Sequence, residues 1–308
     1  MNDSVIITIS IGLANIVMAL LLAPFCQGVM RKVTAIIQSR KGPPLWQPYY
    51  DLLKLLGKED IESGDSPVMQ RAAVYMSLAT VLTIACLIPM GLSAPMNSAG
   101  DVMLLIYLLT FSGICTLLGG LAAGSTYSLI GISRQMMIMI MLEPLFTVAI
   151  IVGAVHAQSF RLDTVLDGSV YMNRGFPWSG VIMLVIMLLS FQAFVERVPF
   201  DISEAETELM EGPLIEYSGP KLAVFKYASM VKLIIYSALL IDIFFPWHGG
   251  ISMPLQWMLF WLKIFCLVLL AALVAATHAR YRIDQAVRFF ALLLAVGLAA
   301  VVLAGFGY

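Results

Sequence analysis

The stretch QMMIMIMLEPLFTVAIIVGAVHA, residues 135–157, carries a single formal charge, Glu143, in 23 residues. As a helix rising about 1.5 Å per residue it would be about 34 Å long, enough to cross a hydrocarbon core about 30 Å thick. A bilayer offers backbone groups no water, so such a run spans as a helix whose amides bond one another. Similar runs occur at about 5–28, 70–91, 102–123, 178–196, 223–246, 255–277 and 286–306. The 308 residues are 60% hydrophobic and 12% charged. These features predict an all-α integral membrane protein, a bundle of about eight transmembrane helices in a single polytopic domain over 1–308. No segment reads as a soluble domain, and no internal repeat stands out. The net charge of −1 says nothing about a nucleic-acid partner, and there is no basic tail; the partner expected from the apolar runs is the lipid bilayer, with no nucleic acid. The first run follows no basic residue and is too long for a signal-peptide core, so it reads as a retained span.

Orientation follows the lysines and arginines. The first connection holds Arg31, Lys32, Arg40, Lys41, Lys54 and Lys58; the third holds Arg134. The fifth holds Arg197, Lys221 and Lys226, and the seventh Arg280 and Arg282. The even connections hold only Arg161 and Arg174. A multi-pass protein of the cell (cytoplasmic) membrane is expected, with odd loops cytoplasmic and both termini outside. Trp178, Trp247 and Trp257 fall at outer span ends, where indoles suit the interface.

The cysteines, Cys26, Cys86, Cys115 and Cys266, form no CxxC pair, and His156, His248 and His278 are scattered. They read as packing and helix-end residues, so no metal, haem or iron–sulfur site is expected in this chain.

Two odd loops are more than connectors. Residues 43–60, PPLWQPYYDLLKLLGKED, place Trp46, Tyr49 or Tyr50, Leu53 and Leu56 or Gly57 at helical spacing, with Pro48 in a first turn that tolerates it. An amphipathic cytoplasmic helix is expected there, against the membrane or a partner. Residues 199–212, PFDISEAETELMEG, crowd five carboxylates into 14 residues: Asp201, Glu204, Glu206, Glu208 and Glu211. Ser203 and Glu206 have capping-box spacing, and Gly212-Pro213 ends the segment. On a short helix, Asp201, Glu204, Glu208 and Glu211 would form one stripe, with Glu206 pointing away. A charged stripe is commonly a solvated face. Like charges so close are also mutually unfavourable, and partly buried ones can pass protons. Charges inside spans include Glu143, Lys232, Asp242 and Lys263. Each is costly against lipid and should face the bundle interior. They read either as ion pairs that fix helix packing or as a proton path through Glu143, Lys232 and Lys263.

PFDISEAETELMEG, followed by PLIEYSG, resembles the acidic loop of the respiratory complex I membrane subunit that lies beneath the quinone site. SRKGP at 39–43 and WQPYYDLLKLLGKE resemble that family's first loop, through Arg40, Gln47, Asp51, Lys54, Lys58 and Glu59. TYSLIG at 126–131, Arg134 and Glu143 resemble its third loop and fourth span. ARYRIDQ at 279–285, with Arg280, Arg282 and Asp284, resembles its arginine-rich turn before the last span. Three departures stand out. The insertion usual after RKGP is missing, Lys232 stands roughly where complex I has a glutamate, and Glu196 lies closer to the motif than the complex I acid does. Glu204–Glu206 and Glu211–Leu214 look more like the equivalent subunit of energy-converting nickel–iron (NiFe) hydrogenases, including formate hydrogenlyase.

That resemblance implies a non-catalytic membrane subunit that anchors a peripheral redox arm. It would couple low-potential electron transfer and H2 evolution to H+ or Na+ translocation. Iron–sulfur clusters and a nickel–iron centre would sit in partners: hydrogenase large and small subunits and a ferredoxin-like iron–sulfur subunit. Antiporter-like membrane subunits would move the ion. The implied coupling residues are Glu143, Asp201, Glu204, Glu206, Glu208, Glu211, Glu216, Lys232 and Lys263. The implied subunit interface comprises Arg40, Gln47, Asp51, Lys54, Lys58, Arg134, Arg280, Arg282 and Asp284. Two other readings remain: the quinone-binding subunit of a complex I-like dehydrogenase, and a stand-alone secondary transporter.

Overall fold

A computed structural model describes residues 2–61, 66–92, 94, 96, 100–166, 177–203, 209–245 and 252–307. The described helices are α1 (Asn2–Ile37), α2 (Gln47–Leu56), α3 (Pro67–Leu87), α4 (Val102–Ala123), α5 (Thr126–Ala157), α6 (Leu162–Val165), α7 (Trp178–Phe194), α8 (Gly219–Phe244), α9 (Met253–Thr277) and α10 (Ile283–Gly305). Seven of them are long and apolar enough to cross a bilayer. The remaining expected span is α7, apolar but only 17 residues long.

Several boundaries differ from the apolar runs. α1 continues past the expected end at 28 to Ile37 and takes Arg31 and Lys32 with it. Long cationic side chains permit this, because they carry their charge away from the apolar stem. α5 begins at Thr126 rather than 135, because Gly124, at φ +69°, reverses the chain in a left-handed turn. α5 also runs through Pro144 without ending. Proline removes one backbone donor, a loss that packed neighbours make tolerable in a membrane helix.

α8 is the central helix, with 18 of its 26 residues buried. Its Lys232, Tyr236 and Asp242 are therefore committed to the protein interior or its cavities. α1, α3, α7 and α9 pack around it, and α4, α5 and α10 complete the bundle. At one end Asn15 Nδ2 donates to the Leu92 carbonyl at 3.1 Å, and Asp101 pairs with Arg161 in an isolated bridge. The odd connections gather at the opposite end, as the charge pattern requires of loops on one side. Tyr281 N donates to the Pro199 carbonyl at 3.0 Å, and Lys221 meets Asp60 at 3.2 Å.

Candidate functional site

The acidic motif begins where α7 stops. Arg197 N donates to the Gln192 carbonyl at 2.9 Å and Glu196 N to the Ala193 carbonyl at 3.1 Å. These are the two bonds of a Schellman helix ending. Phe200 is then clamped by aromatic rings, stacked on Tyr281 at 5.2 Å and tilted against Phe290 at 4.8 Å. Beside it Arg280 donates to Asp201 at 3.0 Å. The motif's start is thereby fastened to the turn before α10.

Glu204, Glu206 and Glu208 lie outside the described residues, and with them the expected capping box and carboxylate stripe. The chain is described again from Leu209, which is buried. Gly212–Leu214 form one 3-10 turn. Two glycines let this turn sit almost backbone to backbone on the bundle. A Cβ on Gly131 of α5 would stand 2.9 Å from Gly212 Cα, and one on Gly120 of α4 would stand 3.1 Å from Pro213 Cβ. Tyr217 anchors the exit, donating its hydroxyl to the Gly119 carbonyl at 2.8 Å. Glu211 meets Lys226 of α8 at 3.1 Å, and Glu216 is half-buried nearby.

The first loop is built into the same end. Leu45's carbonyl approaches α1 at Gly28, where a Cβ would be only 2.0 Å away. Gln47 Nε2 and Arg31 Nη1 each donate to Asp51 at 2.9 Å. Burial opposes ionisation of Asp51, but those two bonds and the charges of Arg31 and Lys226 outweigh it, so its carboxyl lies below the usual range. Tyr49 turns inward and bonds the Leu21 carbonyl. Trp46, Tyr50, Leu53 and Leu56 face outward. The expected helix is present as α2, with its apolar stripe exposed. Gln47 and Asp51, expected at a subunit interface, spend side-chain bonds within the chain. Arg40, Lys54, Lys58, Arg282 and Asp284 are exposed, and Arg134 is half-buried.

Inside the bundle a cavity of about 80 Å³ brings Glu143 and Lys232 to one space, along with Thr110, Gln135, Glu196 and Tyr236. Phe200 and Ser203 of the acidic motif also form part of its wall. It has room for several waters, since one needs roughly 10–15 Å³. The cavity therefore joins a membrane-embedded carboxylate and ammonium to the foot of the acidic loop. Lys263 does not line it. That lysine lies within the electrostatic reach of Asp242, which is fully buried. Lys263, expected on one path with Glu143 and Lys232, thus stands apart from the cavity they share, because it enters from α9 beside a different stretch of α8. Among the described residues no three His, Cys, Asp or Glu side chains converge as a metal-binding set.

Sequence reading made no site residue of Gln135, Glu196 or Tyr236. Gln135 Nε2 donates to Glu196 Oε1 at 3.2 Å. Only Glu196 left a trace in the sequence, as a carboxylate shifted toward the PFD element. Gln135 and Tyr236 read as ordinary span residues, and nothing in their spacing placed them beside Glu143.

The NADH dehydrogenase family matches residues 9–305. The chain is 31% identical over 281 residues to Hydrogenase-4 component C of Escherichia coli (strain K12), covering 88% of each protein. It is 33% identical over 274 residues to formate hydrogenlyase subunit 4 of the same strain, covering 85% of this chain and 87% of that one. Among solved structures, a chain of the membrane-bound sulfane sulfur reductase, an archaeal respiratory membrane complex, superposes with a TM-score of 0.87 at 23% identity. That match covers 96% of this chain and 99% of the other, and at such identity it speaks for the fold. A match along nearly the whole length, with relatives above 30% identity, shows that this multi-pass membrane chain belongs to the NADH dehydrogenase family.

Proposed function

We propose that this chain is the membrane subunit of a respiratory-type energy-converting nickel–iron hydrogenase complex. It anchors the peripheral redox arm and couples low-potential electron transfer and H2 evolution to H+ or Na+ translocation. The observation that carries the reading is the shared cavity: Glu143 and Lys232 sit in one space whose wall includes Phe200 and Ser203 of the acidic motif. Similarity to Hydrogenase-4 component C and formate hydrogenlyase subunit 4 supports the hydrogenase form of the reading.

In this reading the end of the molecule with the odd loops faces the cytoplasm. The hydrogenase large and small subunits and a ferredoxin-like subunit dock there and hold the iron–sulfur clusters and the nickel–iron centre. Arg40, Lys54, Lys58, Arg134, Arg280, Arg282 and Asp284 serve that interface. Gln47 and Asp51 act from beneath it by shaping α2. Turnover in the arm changes the charge or position of the carboxylates from Asp201 to Glu216. The change reaches Glu143 and Lys232 through the cavity, and passes from there to antiporter-like subunits. Physically it is a coupling free energy between a redox site and an ion site, carried by a polar network with two arrangements. Lys263, with Asp242, lies on a separate branch of that network.

The test is Glu143→Gln in the assembled complex. Assembly and H2 evolution from a reduced low-potential donor should survive, and ion uptake per H2 should be lost; normal uptake refutes the role. Nickel co-purifying with the chain is expected as well. The quinone-binding reading is supported by the NADH dehydrogenase family match and by a wide cavity of about 610 Å³ at the foot of α1, lined by Arg31, Arg40, Lys41, Arg197 and Asp201 among others. Quinone reduction by the purified complex, with iron but no nickel, would select that alternative.

A further inference from the structure

We infer that Lys226 is a positioning residue, shared between Glu211 and Asp51, that ties the acidic loop to the first-loop helix; the inference rests on the coupling role proposed above. Lys226 lies on α8, the helix that also carries Lys232 to the inner cavity. Its ammonium meets Glu211 Oε1 of the acidic motif at 3.1 Å. Its charge also reaches Asp51 of α2, a helix that packs on α8. One ammonium thus serves a carboxylate from each of the two loops built into this end of the molecule.

Two further observations make the sharing a movable one. A cavity of about 170 Å³ lies beside the pair, lined by Arg31, Lys226 and Glu211, with Glu196, Arg197 and Asp201 as its other charged groups. It leaves the lysine stem space to swing. The carboxylates nearby are held unequally. Asp51 accepts from Arg31 and Gln47 at 2.9 Å each, and Asp201 from Arg280 at 3.0 Å. Among the described residues Lys226 is the only ion-pair partner of Glu211. Glu211 also stands on strained backbone. Met210, Glu211 and Gly212 have φ of +58°, +105° and +53° in succession. Only glycine adopts such angles freely. Strain of this kind collects at switch segments, so this part of the loop gains by leaving its present arrangement.

The step transfers neither a proton nor an electron. In one arrangement Lys226 holds Glu211, and the acidic loop stays seated on α8. When turnover in the redox arm draws Glu211 away, the ammonium turns toward Asp51 and adds to the bonds from Arg31 and Gln47. α2 is then held more firmly as the loop is released. Lysine suits this role, since its ammonium is a compact charge with three donors on a flexible stem. The two acids need not touch, because the lysine carries the effect between them.

The experiment is a mutant cycle in the assembled complex, with ion uptake per H2 read in inverted membrane vesicles. Glu211→Gln and Asp51→Asn are made singly and together, first with Lys226 in place and then with Lys226→Gln. With the lysine present, the paired effect should depart from the product of the single effects by at least about three-fold. With Lys226→Gln that departure should vanish, and uptake should already be down about ten-fold. Lys226→Arg, which keeps the charge, should restore the departure. A lysine that only props the fold would leave the two acids independent. No departure with Lys226 present overturns the sharing. A departure that persists in Lys226→Gln also overturns it, since the acids would then act on each other directly. Either result, with uptake lost in Glu143→Gln, overturns this inference alone. Normal uptake in Glu143→Gln overturns the coupling role beneath it. If Lys226→Gln does not assemble, Lys226→Met, which keeps a stem without the charge, takes its place. If neither assembles, the thermal midpoints of the acid variants decide: simple addition of the single shifts overturns the sharing.

Discussion

Gly131→Ala adds one methyl group where the acidic loop rests on α5. The new Cβ would lie 2.9 Å from both Gly212 Cα and Pro213 Cδ, and 3.1 Å from Gly212 C. Ordinary carbon contacts are about 3.5–4.0 Å, so the turn must retreat by roughly 0.6–1 Å. Backbone cannot swing aside as a flexible side-chain tip can. Glu211 directly precedes this turn, at φ +105°, and its 3.1 Å pair with Lys226 moves with it. Overpacking of this kind costs about 1–3 kcal/mol. Gly153→Ala is a matched control on the same helix, where the nearest neighbour of an added Cβ is Val165 Cγ1 at 3.4 Å. Both substitutions gain the same helix propensity, about 1 kcal/mol, so it cancels in the comparison. The complex carrying Gly131→Ala should therefore be less stable than the Gly153→Ala complex by about 1–3 kcal/mol. Denaturant unfolding in detergent measures the difference, and ion uptake per H2 in vesicles measures the coupling, which should fall only in the Gly131 variant. Equal stability and equal coupling in the two variants would refute the idea that this contact sets the loop's position.

Phe200→Ala removes a buried ring from the cluster with Tyr281, Phe289 and Phe290, at a cost of about 3–5 kcal/mol. Limited proteolysis should then cut between α7 and α8 far faster than in the wild type, whereas Phe200→Leu should stay near the wild-type rate. Asp51 makes stability sensitive to acid. Its folded-state pKa is depressed, so its contribution is present above the unfolded carboxylate value of about 3.9 and is lost as pH falls through the folded value. Thermal midpoints recorded against pH should drop more steeply below about pH 4 for the wild type than for Asp51→Asn. Parallel curves would mean that the bonds from Arg31 and Gln47 do not hold the carboxylate.

The span pattern was legible because it rests on a one-dimensional property. A run of about 20 apolar residues has one stable form in a bilayer, whatever surrounds it. Lysine and arginine counts grouped the odd loops for a similar reason, and those loops do meet at one end through Tyr281–Pro199 and Lys221–Asp60. Helix ends were less legible, since Arg31 and Lys32 could continue α1 once their long side chains found places outside the apolar layer. The first-loop helix was legible from Trp46, Leu53 and the early Pro48. That Tyr49 turns inward while Tyr50 faces out was not, because either fits the same periodicity.

The candidate site divides along the same line. Glu143 and Lys232 stand out in the sequence because a charge within an apolar run is rare and expensive. Their sharing of one cavity, and the separation of Lys263 from it, depend on how α5, α8 and α9 rotate against one another. Residue spacing along one helix cannot encode that rotation. Gln135 and Tyr236 were silent for a related reason: a polar uncharged residue in a span has many uses, and only its neighbours decide among them. By itself the sequence determined that the chain is a multi-pass helical bundle, which loops gather together, and which charges need company. The tertiary structure alone decided which charges keep company and that Lys226 stands between Glu211 and Asp51, because those are contacts across helices and loops, set by packing rather than by order along the chain.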